Sequence, residues 1–172
     1  SAEATQSNGL SSFDSDGFTV GDASGTGVNN ATYAAWNWKA NGTGSANTDG
    51  SATATLSANS TSGFSISTFT TPGSGTFTVG HGLGVAPKMI IYRPTGSSSW
   101  QVGHNSIGWT NFLTLNSTSA SSASTAFGNT APTTSYWTGN TANVGANAPC
   151  VAYCFADVTG YSKFGSYTGN GS

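Results

Sequence analysis

Charge is what this chain has least of. Lys and Arg number 4 and Asp and Glu 6 in 172 residues, so 6% of the chain is charged and the net charge is −2. An ordinary globular domain carries roughly 25%. A surface this poor in cations cannot hold a polyanion by releasing its counterions, which argues against nucleic acid as a partner, and it has no basic cluster for an anionic membrane. Long apolar runs are missing too: nothing approaches the roughly 18 residues of a membrane-spanning helix, so no membrane insertion is expected. No cationic stretch followed by an apolar core opens the chain, so no signal peptide is read. Cysteine is scarce, with only Cys150 and Cys154. On a strand, four residues cover roughly 13 Å, well beyond the roughly 7 Å limit between the Cα atoms of a disulfide. Two small buried thiols are expected. The only histidines, His81 and His104, lie far from them in sequence, and no metal or other cofactor is expected.

What is present is aromatic and small-polar. Aromatic residues make up 12% of the chain, too many for the low-hydrophobicity, high-charge signature of disorder. The polar surface is built from Ser, Thr, Asn and Gly, and weak charge repulsion permits close packing of neighbouring subunits. Helix signals are nearly absent, because the 24 glycines and the Ser/Thr runs break every window long enough for one. Short β-branched or aromatic runs bounded by turn residues predict strands over 17–21, 32–39, 52–57, 63–70, 75–79, 88–93, 100–103, 111–116, 135–138, 150–158 and 161–167. That density of short strands predicts an all-β antiparallel sandwich, jelly-roll-like, with long Ser/Gly/Asn loops. Residues 41–51 and 117–124 read as loop or linker. The sequons at Asn30, Asn41, Asn59 and Asn116 read as accidents of composition.

Internal similarity suggests a repeat. Tyr33-Ala34-Ala35-Trp36-Asn37-Trp38 parallels Cys150-Val151-Ala152-Tyr153-Cys154-Phe155, and Gly63-Phe64-Ser65 parallels Gly160-Tyr161-Ser162. The order of the matches implies that residues 1–40 close a preceding unit, 41–62 form a linker, 63–159 form a complete unit, and 160–172 begin the next. Alternation along 32–39 and 150–158 places Trp36 and Trp38 on one face and Tyr153 and Phe155 on its counterpart. These four aromatics are the expected structural core. The N-terminal strands of one chain are then expected to complete the C-terminal unit of a neighbour by strand addition.

The segment Val79-Gly80-His81-Gly82-Leu83-Gly84-Val85-Ala86-Pro87-Lys88-Met89-Ile90-Ile91 reads as strand, glycine turn, strand. Gly80, Gly82 and Gly84 permit a tight turn, and Pro87 disfavours helix. A Gly-x-Gly-x-Gly phosphate cradle would open a helix, and none is predicted there. This segment resembles a repeated β-rich domain found in tandem in tailed-bacteriophage virion structural proteins of the tail-fibre or decoration type. Trp100-Gln101-Val102-Gly103-His104-Asn105-Ser106-Ile107-Gly108, Phe112-Leu113-Thr114-Leu115-Asn116 and the segment from Gly160 to Ser172 fit the same family. The resemblance implies β architecture, a virion or extracellular location, and no established catalytic residues. Gly103 stands where the family more usually has Tyr.

Catalytic patterns are weak. All the acids but Asp157 (Glu3, Asp14, Asp16, Asp22 and Asp49) lie in the first third of the chain, so the facing carboxylates of a glycosidase are not promoted. Asp14-Ser15-Asp16-Gly17 reads as a turn. No Gly-x-Ser-x-Gly elbow occurs, and His81 and His104 read as residues bonded to their own loops. Three functions are weighed. The first is a non-catalytic fibre, decoration or filament subunit that works by homo-oligomerisation or attachment to other virion proteins. The second is an adhesin for host-surface glycans, with Trp100, Trp109 and Trp137 as candidate sugar contacts. A polysaccharide depolymerase ranks last.

Overall fold

A computed structural model describes residues 8–22, 25–96 and 98–171; Glu3 lies outside the described residues. The chain divides into two units, with described residues 8–37 in one and 38–171 in the other.

The first unit contains an antiparallel hairpin of β1 (Leu10–Phe13) and β2 (Phe18–Val20). Asp14 makes the turn: its N–H donates to the Gly17 carbonyl at 2.9 Å. Its carboxylate accepts from the hydroxyls of Ser12 at 2.9 Å and Thr19 at 2.8 Å. The Asp-Ser-Asp-Gly motif is therefore a turn in which the Asp14 carboxylate is satisfied. Residues 32–39 form no strand, against expectation. Alternating aromatics set which way side chains would point, but a strand also needs a neighbour to hydrogen-bond, and none lies alongside. Trp36, expected in the core, is 78% exposed.

The second unit is all-β. An eight-stranded antiparallel sheet runs in the order β10-β9-β8-β7-β12-β5-β4-β3. Its strands are β3 (Ser45–Asn47), β4 (Ala54–Asn59), β5 (Phe64–Thr70), β7 (Met89–Pro94), β8 (Gln101–His104), β9 (Asn111–Thr114), β10 (Ser122–Ala123) and β12 (Pro149–Phe155). Two local meanders, β3-β4-β5 and β7-β8-β9-β10, are joined by the last strand, β12, inserted between β5 and β7. The strands β6 (Thr76–Gly80) and β11 (Tyr136–Asn140) leave this sheet and pair as an antiparallel ribbon. The all-β antiparallel sandwich expected from the sequence is the fold. Residues 41–62 are not a linker, since they supply β3 and β4. Residues 161–167 form no strand; only a bridge between Val158 and Ser162 closes a turn there. These two sequence matches thus each pair a strand with a segment that is not one, whereas a further match, Phe18-Thr19-Val20-Gly21 with Tyr136-Trp137-Thr138-Gly139, pairs β2 with β11.

The main core lies between the sheet's inner face and the ribbon. Its rings are Phe69, Phe77, Tyr92, Trp109, Phe127 and Trp137. Trp137 stands 4.8 to 6.2 Å, ring centre to ring centre, from Tyr92, Phe69, Phe77 and Phe127. β12 meets these rings with its small side chains, Cys150, Ala152 and Cys154, each at most 1% exposed. The alternation along this strand is as expected, but the core face is the opposite one. An interior filled to crystal-like density has room for one set of large rings, and they come from β5, β6, β7, β11, the 124–135 loop and Trp109 just before β9. Both thiols are free, and burial pushes Cys150 up to about 11 and Cys154 up to about 12.

Candidate functional site

The large side chains of β12 therefore project from the other face of the sheet. Directly opposed residues in antiparallel strands share a face, so the register defines the outer rows. One row runs Leu113–Val102–Ile91–Tyr153–Ile66–Ser57 across six strands. The next runs Arg93–Val151–Thr68–Thr55. A third carries Met89, Phe155 and Phe64, and it is roofed: Trp38 lies 5.4 Å from Phe155 and 6.3 Å from Phe64, and Phe164 lies 5.8 Å from Phe155. Phe155 is thus buried in a satellite cluster outside the main core. Trp38 caps that cluster and is 47% exposed, and Tyr153 is half-buried. Of the four aromatics expected in the core, Phe155 is buried, though in this satellite cluster and not among the main-core rings, while Trp36, Trp38 and Tyr153 are not buried.

At the edge of the open rows, Trp100 is half-buried beside Tyr153, with ring centres 6.1 Å apart. The guanidinium of Arg93 lies 5.0 Å from the Trp100 ring centre, a cation–π contact that braces the indole. Arg93 is itself buried and donates to the carbonyls of Pro94 at 2.9 Å and Gly96 at 2.7 Å. Asn116 Oδ1 accepts from the Trp100 N–H. The other two sugar-contact candidates are elsewhere: Trp109 is 8% exposed and Trp137 is fully buried. Their rings are committed to the core, so neither is free to stack on a glycan.

A family model described as "Domain of unknown function (DUF7483)" matches residues 1–172. The chain belongs to this family. No curated protein and no solved structure matches it.

The glycine turn of this DUF7483 domain behaves as its residues suggest. Gly82 and Gly84 adopt φ of 62° and 74°, the left-handed region that only glycine enters freely, and Pro87 is fully buried. Gly80, expected in the turn, is instead the last residue of β6, and between it and Gly82 sits His81, with no exposed surface. Its Nδ1 accepts from the Leu83 N–H at 3.2 Å, so the proton is on Nε2, which donates to the Thr133 carbonyl at 3.2 Å. Desolvation lowers its pKa, opposed by the Thr133 bond and by the charge of Asp49. His104 likewise accepts from the Ser106 N–H and caps the 3-10 turn Asn105–Ile107. Among the described residues, no three His, Cys, Asp or Glu gather as a metal cluster, and no helix is long and apolar enough to cross a membrane.

His81 gives the fold a pH dependence of definite sign. The folded state takes up its proton less readily than the unfolded chain, so the unfolded state binds more protons just below the unperturbed value of about 6.5. The contribution of neutral His81 is complete above that pH and is lost as pH falls below it. Thermal melts between pH 7.5 and 5 should show a falling midpoint in the native chain and a flatter profile in His81→Gln, which keeps a donor for Thr133. Equal slopes in the two proteins would exclude His81 as the source.

Residue reasoning missed Arg93 and the core rings Phe77 and Phe127, and of the two faces it left open for 88–93, Met89/Ile91 or Ile90/Tyr92, the second is the core face. The available signal was the unbroken apolar runs at 89–92 and 150–155, which are the pattern of strands covered on both faces.

Proposed function

We propose that this chain is a non-catalytic structural module of a tailed-phage virion, a fibre, decoration or filament subunit that acts by self-assembly or by attachment to other virion proteins. The observation that carries this reading is the outer sheet face. Its row Leu113–Val102–Ile91–Tyr153–Ile66 is apolar across five strands, and the one Lys, Arg, Asp or Glu among the described outward strand positions, Arg93, is buried beside Trp100. Soluble monomers seldom leave contiguous apolar patches of more than a few hundred Å2 open, and such patches mark association surfaces. The resemblance of the Gly80–Pro87 turn and the segments after it to phage virion domains supplies the setting. The test is immunogold electron microscopy of phage particles from a producing culture, with antibody raised against the purified chain. Gold on tails, fibres or capsids is expected. Particles that stay bare while the free chain accumulates in the lysate would defeat the proposal.

A host-glycan adhesin is the second reading, and the Trp100–Tyr153 pair favours it, because a braced indole beside a second ring offers a stacking surface for a sugar. It competes with assembly for the same side chains.

A further inference from the structure

We infer that Asn41 is a site of spontaneous covalent modification, which converts it to an aspartyl or an isoaspartyl residue and, by the second route, releases the edge strand β3.

The chain contains three Asn-Gly pairs, Asn8-Gly9, Asn41-Gly42 and Asn170-Gly171. Asparagine is a thermolabile residue, and glycine is the neighbour that shields it least, having no Cβ to hinder approach to its nitrogen. The reaction needs only the chain and water. The Gly42 nitrogen gives its proton to a solvent base and attacks Asn41 Cγ. A bond forms between that nitrogen and Cγ, the Cγ–Nδ2 bond breaks, and Nδ2 takes a proton from solvent and leaves as ammonia. Water then opens the five-membered imide. Addition at Cγ restores the main chain and leaves aspartate at 41. Addition at the main-chain carbonyl carbon leaves isoaspartate, with the chain running through Cβ and Cγ.

The fold selects among the pairs. Asn41 and Gly42 are both exposed. Ser57 holds their outer ends: its Oγ accepts from the Asn41 N–H at 2.9 Å, and its hydroxyl donates to the Gly42 carbonyl at 2.8 Å. Among the described residues, the two groups that react, the Asn41 carboxamide and the Gly42 N–H, make no hydrogen bond. At Asn8 the corresponding groups are occupied. Its carboxamide donates to the Asp22 carboxylate at 2.6 Å, and Gly9 is buried. The nearby negative charge also disfavours loss of a proton from the Gly9 nitrogen. Asn170-Gly171 lies outside every strand, so its conversion alters no ladder.

The two products differ in length. Aspartate adds one negative charge to a chain of net charge −2 and keeps the backbone. Isoaspartate adds a main-chain bond of about 1.5 Å between the two groups that Ser57 holds. Both bonds to this buried hydroxyl are already at full hydrogen-bond length, and such bonds end at roughly 3.2 Å, so the clamp lets go. Just beyond it lies β3, three residues long, at the sheet edge and paired only with β4. Segments with so few buried contacts are the first to open locally.

The test is to age the purified whole chain in mildly alkaline buffer and map it by chymotryptic digestion and mass spectrometry. Cleavage after Trp38 and Leu56 separates Asn41 from the other two pairs. A gain of one mass unit at Asn41, well ahead of Asn8, is expected. Asn41→Gln, which would have to close a larger ring, should show no such gain at 41. Aged chain isolated by ion exchange should contain a population whose 45–47 amides exchange with solvent severalfold faster than in the native protein. Asn41→Asp, which carries the charge without the added bond, should exchange at the native rate, and Ser57→Ala, which removes the clamp without ageing, at the faster one. An Asn41 that survives as long as Asn8 overturns the modification site. Isoaspartate at 41 with native exchange at 45–47 overturns the release of β3, whether or not Ser57→Ala folds.

Discussion

Trp137→Ala lowers the stability of the chain by about 3–5 kcal/mol, the cost of deleting a buried Trp side chain, which in a domain of this size lowers the melting temperature by roughly 10 °C or more. Trp137 has no exposed surface and touches four other core rings, from β5, β6, β7 and the 124–135 loop. Its removal opens a cavity at the point where the sheet and the ribbon meet, and rings fixed by their own strands cannot all collapse into it. Among the described residues its buried Nε1 has no hydrogen-bond partner, so Trp137→Phe, which deletes that donor and keeps most of the ring, should cost much less. Trp36→Ala supplies the contrast: at 78% exposure it should stay within about 0.5 kcal/mol of the native chain. Thermal unfolding followed by circular dichroism ranks the three. A Trp36→Ala loss as large as that of Trp137→Ala would restore the aromatic pattern of 32–39 as core and refute the packing described above.

Gly103→Tyr, the change toward the residue more usual in the resembling phage domains, abolishes the native fold. A Cβ at Gly103 would lie 2.7 Å from both Phe127 Cζ and Trp109 Cζ3, closer than real side chains approach. Even Gly103→Ala forces two buried rings aside at about 1–3 kcal/mol, and a whole phenol has nowhere to go. Phe127 and Trp109 already occupy the volume that a tyrosine at 103 would fill. The double variant Gly103→Tyr with Phe127→Ala should therefore recover folded, soluble protein that the single variant lacks, as read by soluble yield and urea midpoint. A single variant as stable as the native chain would show that the site accommodates both rings, contrary to the contacts above.

Much of the secondary structure was legible because strand signals are local. The β-branched and aromatic runs of β5, β6, β7 and β12 sit between turn residues, and those strands fall within two residues of expectation at most ends, β12 apart. The Asp14 turn, the Gly82–Gly84 turn, the His104 cap and the bond from Leu83 to His81 were legible for the same reason, whereas the bond from His81 to Thr133, 52 residues on, was not. The strands that were missed, Leu10–Phe13, Ser45–Asn47 and Ser122–Ala123, are short, and the last two are small and polar. They are strands only because an edge is there to receive them. The segment at 32–39 errs the other way: its aromatic alternation is as strong as that of β12, yet no edge receives it.

For the candidate site, Trp100 was legible as a tryptophan on or beside a strand, but so were Trp109 and Trp137, and nothing within a few residues of each separates a surface ring from a core ring. The separation depends on Phe127, which arrives from a loop, and on the insertion of β12 between β5 and β7, which pairs Cys150 with Phe69 and Tyr153 with Ile91.

The amino-acid order alone determined that this is a charge-poor, all-β chain with short strands, two unpaired cysteines and a glycine-built turn, because each of these follows from composition or from neighbours along the chain. Which face of each strand is inside was decided only by the tertiary structure. Alternation creates two faces but does not rank them, and the rank is set by whichever distant rings fill the single space between sheet and ribbon.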